Sequence, residues 1–144
     1  MSNIDKQALR INAQLASSGK WIKESGDGWE AICSSDDQAN AGFIVAHFEG
    51  PDAKENREFI QAASPATVLA LLDELEAAER RNAELTKALE QTVSGYKSCL
   101  RTGHERILDL GGDCDAPEVM IAGNTDIRQA EKLLAAAAGK GEAS

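Results

Sequence analysis

Between Pro65 and about Ser94 the chain holds no glycine and no further proline, and Ala, Leu, Glu, Arg and Lys dominate the run. All five are strong helix formers. Ser64 is suited to the N-cap, and Pro65 suits the first helical position, where its missing N–H costs nothing. Thirty residues of helix span roughly 45 Å. A chain of 144 residues cannot bury a rod of that length, so much of it is expected to project.

Along this run Leu71, Leu75, Ala78, Asn82, Leu85, Leu89, Thr92 and Tyr96 alternate steps of four and three. That is the seam spacing of a left-handed coiled coil. With Leu75 at an a position, Leu71 and Leu85 fall at d and Asn82 at a. An amide at a favours in-register two-stranded pairing, because leaving it unpaired in an apolar seam is costly. Ala78 and Thr92 are weak knobs, and Glu74 and Glu79 would face each other across a parallel dimer. The competing arrangement packs the helix on its own sheet through Val68, Leu69, Leu72 and Leu75. Both hold if the first turns pack and the rest pairs. Orientation, and dimer against tetramer, stay open.

Core material is scarce, which strengthens the case for assembly. The chain has two Trp, three Phe and one Tyr. Alanine supplies much of the apolar fraction and buries little area, so burial between copies can make up the deficit. The formal charge of -9, with 24 acidic against 15 basic residues, disfavours nucleic acid and anionic membrane surfaces. No apolar run approaches the ~20 residues of a membrane span, and the first fifteen residues do not read as a signal peptide. Three widely spaced cysteines, Cys33, Cys99 and Cys114, make no disulfide framework and suit a reducing cytoplasm.

The remainder reads as small elements. Asn3 to Ser17 is an amphipathic helix with Ile4, Ala8, Ile11 and Leu15 in one stripe, opened by Ser2 and Asp5 as an imperfect capping box. Trp21-Ile22, the turn Ser25-Gly26-Asp27-Gly28, Trp29 to Ser34, a polar loop to Asn40, and Phe43 to Phe48 predict a sheet of about three antiparallel strands. Asp52 and Glu55 predict a capped short helix with Phe59, Ile60 and Ala63 inward. After Gly95 the glycines Gly103, Gly111 and Gly112 are expected to break the chain. Asp115 and Pro117 open a short helix. Asn124 caps a last one, with Ile127, Ala130, Leu134 and Ala137 on one face, and Gly139 to Ser144 frays.

The phrase from Asn56-Arg57-Glu58-Phe59-Ile60-Gln61 through Ser64-Pro65-Ala66-Thr67-Val68 to Leu72-Asp73-Glu74-Leu75 resembles the signature of the Ead-like early proteins of lambdoid phages and prophages. The opening Ser2-Asn3-Ile4-Asp5-Lys6-Gln7-Ala8-Leu9-Arg10 is similar to their N-terminal helix, and the likeness covers about residues 1–90. Gly95-Tyr96-Lys97-Ser98-Cys99-Leu100-Arg101 and Leu110-Gly111-Gly112-Asp113-Cys114-Asp115 look like a module reused in phage accessory proteins. The resemblance implies an early, dispensable protein tied to the lysis–lysogeny choice or to host physiology, and coiled-coil oligomers. It carries over no catalytic residue.

Candidate chemistry is thin. Cys99, His104 and Cys114 with Asp113 or Asp115 have ligand types that zinc accepts, but no paired C-x-x-C spacing. The Gly111–Asp115 run lacks a P-loop lysine and reads as a helix-capping turn. Cys33 and His47 could form a nucleophile–base pair, though no third member stands out.

The sequence therefore predicts an α+β chain: a small antiparallel sheet with flanking helices (residues 1–64), a long coiled-coil helix (65–98) and a short helical C-terminal lobe (99–144). No catalytic, cofactor-binding or metal residue is expected. Leu71, Leu75, Ala78, Asn82, Leu85 and Leu89 are the expected oligomer interface, giving a homodimer or tetramer. The expected role is a non-catalytic phage accessory protein in the bacterial host cytoplasm, binding itself and a host or phage protein. An acidic inhibitor of a host nuclease or defence enzyme is the alternative, and a small metal-dependent enzyme the third reading.

Overall fold

Hairpin chemistry sets the centre of the first half. In the computed structural model, which describes residues 4–35 and 43–141, Gly28 takes φ +79° between two antiparallel strands, β1 (Trp21–Gly26) and β2 (Trp29–Ser34). A third strand, β3 (Ile44–Phe48), pairs antiparallel with β2, so the order is β1-β2-β3. The turn also needs Gly26. A Cβ there would meet the Trp29 indole at 2.2 Å, so the ring lies directly over the glycine. Beside Ile32 and Cys33 the β2–β3 register slips by one residue, placing an irregularity on an outer strand, where bulges are common. Much of the expected polar loop, and Ser2 of the expected capping box, lie outside the described residues.

The chain forms two compact units, Met1–Ala77 and Ala78–Ser144. In the first, helix α1 (Lys6–Leu15) is capped by Asp5, whose carboxylate accepts from the Ala8 N–H at 2.9 Å. The segment from α1 to β1 is stitched to the end of β2. Ser34 Oγ donates to the Ser18 carbonyl and the Ser35 N–H to the Lys20 carbonyl, while Trp21 Nε1 closes the segment on itself by donating to the Ser17 carbonyl. Helix α2 (Ala53–Ala62) lies against all three strands. Ala31, Ile32, Cys33 and Ser34 are all buried, so both faces of the middle strand are covered.

The inward face of α2 differs from the one its apolar residues suggest. Ala53 and Arg57 are buried and Ile60 half-buried, while Phe59 is 70% exposed. Positions 53, 57 and 60 share a helix face, and Phe59 stands two residues, some 200°, from Arg57. The Arg57 guanidinium decides which face turns inward. Its Nε donates to Glu30 Oε2 on β2 at 2.7 Å and its Nη1 to Gln61 Oε1 at 2.8 Å, while Gln61 Nε2 donates to the Trp21 carbonyl at 3.1 Å. Asp52 stands at the N-cap as expected, but its side chain makes no capping bond.

Helix α3 (Pro65–Asp109) begins where the sequence places it, with Ser64 Oγ accepting from the Thr67 N–H. It ends later. Gly103 lies inside it, as Gly95 does, and does not break it as expected; a Cβ at either would meet no neighbour within 4 Å. Termination comes at Gly111, with φ +76°. The Gly111 N–H donates to the Leu108 carbonyl and the Gly112 N–H to the Ile107 carbonyl, both at 2.9 Å. Those two bonds form a Schellman motif, which closes a helix by reversing the chain.

The second unit takes the rest of α3 together with α4 (Pro117–Gly123) and α5 (Thr125–Gly141). Among its described residues Ile127 and Val93 are buried apolar side chains, with Pro117 buried at the start of α4. Asn124 caps α5 as expected, its Oδ1 accepting from the Asp126 and Ile127 N–H groups. The α4 N-cap is Ala116 rather than Asp115, and α5 continues through Gly139 to Gly141. Five helices and one three-stranded antiparallel sheet among the described residues make the chain α+β.

Candidate functional site

Two features carry functional interest, one in each unit. The first is an apolar groove of about 400 Å³, lined by Ile4, Lys6 and Leu9 around α1 and by Val68, Leu71, Leu72 and Leu75 on α3. Arg10 holds the groove's two sides together. It donates to Asp73 Oδ1 at 2.7 Å and to Glu76 Oε1 at 2.8 Å, and these carboxylates hold the guanidinium pKa above its ordinary value. The first turns of α3 thus meet α1 through these residues. Leu72 is buried, whereas Leu71 and Leu75 remain 60% and 43% exposed.

Farther along α3, in the second unit, the seam residues separate. Ala78 and Leu89 are half-buried, Asn82 is exposed, and Leu85 is 68% exposed. The last two seam positions are engaged within the chain. Thr92 Oγ1 donates to the Ala88 carbonyl at 2.8 Å, and the Tyr96 hydroxyl accepts from Asn124 Nδ2 at 3.3 Å. Val93, not Thr92, is the buried residue there, so the inward stripe of α3 runs one position beside the predicted seam rather than along it.

The second feature joins two of the residues considered for zinc. His104 Nδ1 lies 3.1 Å from Cys114 Sγ, and both side chains are half-buried. The Schellman reversal at Gly111 brings Cys114 back onto the helix it has just left. Gly112 allows the close approach, since a Cβ there would stand 2.9 Å from Ile107 Cγ2. Cys99 is exposed on α3. Among the described residues no three His, Cys, Asp or Glu side chains are grouped to hold a metal ion. The Gly111-Gly112 turn is a helix C-terminus, whose carbonyls would repel phosphate.

The pair imagined between Cys33 and His47 does not form as a functional unit. His47 stands opposite Ala31, while Cys33 stands opposite Ile44. The His47 ring tilts against Trp29 at a centroid distance of 5.7 Å, with Nδ1 3.6 Å from Glu49. Burial, with Glu24 nearby, pushes the Cys33 thiol pKa up, which keeps it protonated and inert.

Sequence reasoning missed the Arg57–Glu30–Gln61 network and the outward Phe59. One signal was available: Arg57 and Gln61 stand one helical turn apart within the phrase that carries the family likeness. No helix among the described residues is long and apolar enough to cross a membrane. No curated protein and no solved structure matches the chain. The profile of the Ead/Ea22-like protein family does match, across residues 2–140, and so takes in the groove, the whole of α3 and the His104–Cys114 turn. The chain therefore belongs to the Ead/Ea22-like family of phage accessory proteins.

Proposed function

We propose that this chain acts without catalysis, as an early phage or prophage protein that self-associates along α3 and presents its lobes to a host or phage protein in the bacterial cytoplasm. One observation carries the reading: Leu71, Leu75 and Leu85, at heptad spacing on one 45-residue helix, are 60%, 43% and 68% exposed. Leucines at that spacing lose water by facing a second copy of the same stripe, and Asn82 would set its alignment. Multivalent display then raises avidity for a partner with no new contact, which suits a stoichiometric effect on the lysis–lysogeny choice or on host physiology.

Sedimentation of the wild type and of Leu85→Asp tests this. The wild type should sediment as a dimer or tetramer at tens of micromolar, and Leu85→Asp should shift it toward monomer. A monomeric wild type overturns the assembly.

The charge of -9 supports a second reading, an acidic inhibitor that offers carboxylates to the basic cleft of a host nuclease or defence enzyme. That reading requires a captured partner to be released by salt. Release by detergent alone would exclude it.

A further inference from the structure

Three cysteines sit in three different settings, and the setting of Cys114 is chemically distinct. Cys33 is buried in β2, Cys99 is exposed on α3, and Cys114 is half-buried with its sulfur 3.1 Å from an imidazole nitrogen. The two halves of this pair are ten residues apart and meet because a specific turn makes them meet. Gly111 holds a left-handed φ, two backbone bonds lock the reversal, and Gly112 leaves no room for a side chain against Ile107. A thiol is nucleophilic as its thiolate, and a base at hydrogen-bond distance supplies that form at the moment of reaction.

We propose that Cys114 and His104 form a thiol–imidazole pair that makes Cys114 the chain's preferred site of thiol–disulfide exchange with small disulfides. In the tautomer that carries its proton on Nε2, His104 Nδ1 accepts the Cys114 proton. The Cys114 sulfur attacks one sulfur of the disulfide and the S–S bond breaks. The departing thiolate takes the proton from the imidazolium. One protein thiol and one small disulfide give one mixed disulfide and one small thiol, with no net oxidation. The capped residue lies at the turn between α3 and α4, so a bulky group there would push against the His104 side of α3. The same exchange run backward with a small thiol removes the cap.

The other two cysteines are built-in controls, because accessibility alone ranks Cys99 first. The reduced full-length chain is treated with excess glutathione disulfide at neutral pH, and mixed disulfides are located by peptide mass. Cys114 should be capped about tenfold faster than Cys99, because only a few per cent of an ordinary thiol is thiolate at neutral pH, with Cys33 last. His104→Gln should bring the Cys114 rate down to that of Cys99 or below. A wild-type chain in which Cys99 reacts as fast as Cys114 overturns the proposal. So does a His104→Gln chain with an unchanged circular dichroism spectrum and an unchanged Cys114 rate. Should His104→Gln disturb the fold, the wild-type ranking of the three thiols decides alone.

Discussion

The two units solve the same shortage of core by different means. The first buries a whole strand segment, Ala31 to Ser34, and clamps a helix onto it with a buried guanidinium. Among its described residues the second has no sheet, and its buried apolar side chains are Ile127, at 2% exposure, Val93 and Pro117. Its order rests more on caps and reversals: Asn124 at the start of α5, and Gly111 at the end of α3. A strand sandwiched on both faces gives local stability that a few helix ends cannot match. The helical unit is therefore expected to open first.

Arg57→Ala should strike the sheet unit hardest. It leaves Glu30 and Gln61 without their donor, and breaking a buried ion pair costs about 3 kcal/mol. Urea unfolding measures the loss. Pairing Arg57→Met with Glu30→Leu should recover most of it, because an apolar pair of similar volume does not strand a charge. A double variant as unstable as Arg57→Ala would show that Arg57 acts by geometry alone.

Ile127→Ala sharpens the contrast from the other side. Removing a nearly fully buried isoleucine side chain costs about 2–4 kcal/mol, less where neighbours collapse into the space. Hydrogen exchange should show α4 and α5 losing protection while the amides of β2 keep theirs. Equal losses in both places would mean that the units unfold as one, and the contrast between them would fall.

What the residues disclosed in advance follows the same divide. The hairpin was legible because Asp27-Gly28 is local turn chemistry between alternating strands, and the start of α3 was legible because Ser64-Pro65 is a local stop and start. Asn124 was readable for the same reason. The inward face of α2 was not, because Arg57 is a charge that is buried only when Glu30, 27 residues earlier, arrives beside it. Phe59 looked like core for want of that pairing. The heptad spacing was legible, but not the hydrogen bond from Asn124 to Tyr96, which a tertiary contact decides. His104 and Cys114 were visible as candidate ligands. Their meeting needed the end of α3 to be placed some fifteen residues later than helix propensity suggests.

That late end makes the last prediction, a comparison of glycines along α3. Gly111 sits at φ +76°, where an alanine Cβ is strained by about 1–2 kcal/mol, so Gly111→Ala should destabilise the chain by that amount. Gly95 and Gly103 have helical neighbours on both sides and open space where a Cβ would go. Alanine loses less backbone freedom on folding than glycine, so Gly95→Ala and Gly103→Ala should each stabilise by about 0.5–1 kcal/mol. Thermal unfolding gives the sign directly. Were Gly95→Ala destabilising, the helix would be ending near Ser94, and His104 would lose the rigid rod that positions it against Cys114. A gain at both glycines with a loss at Gly111 locates the stop at one residue, and with it the reversal on which the thiol–imidazole pair depends.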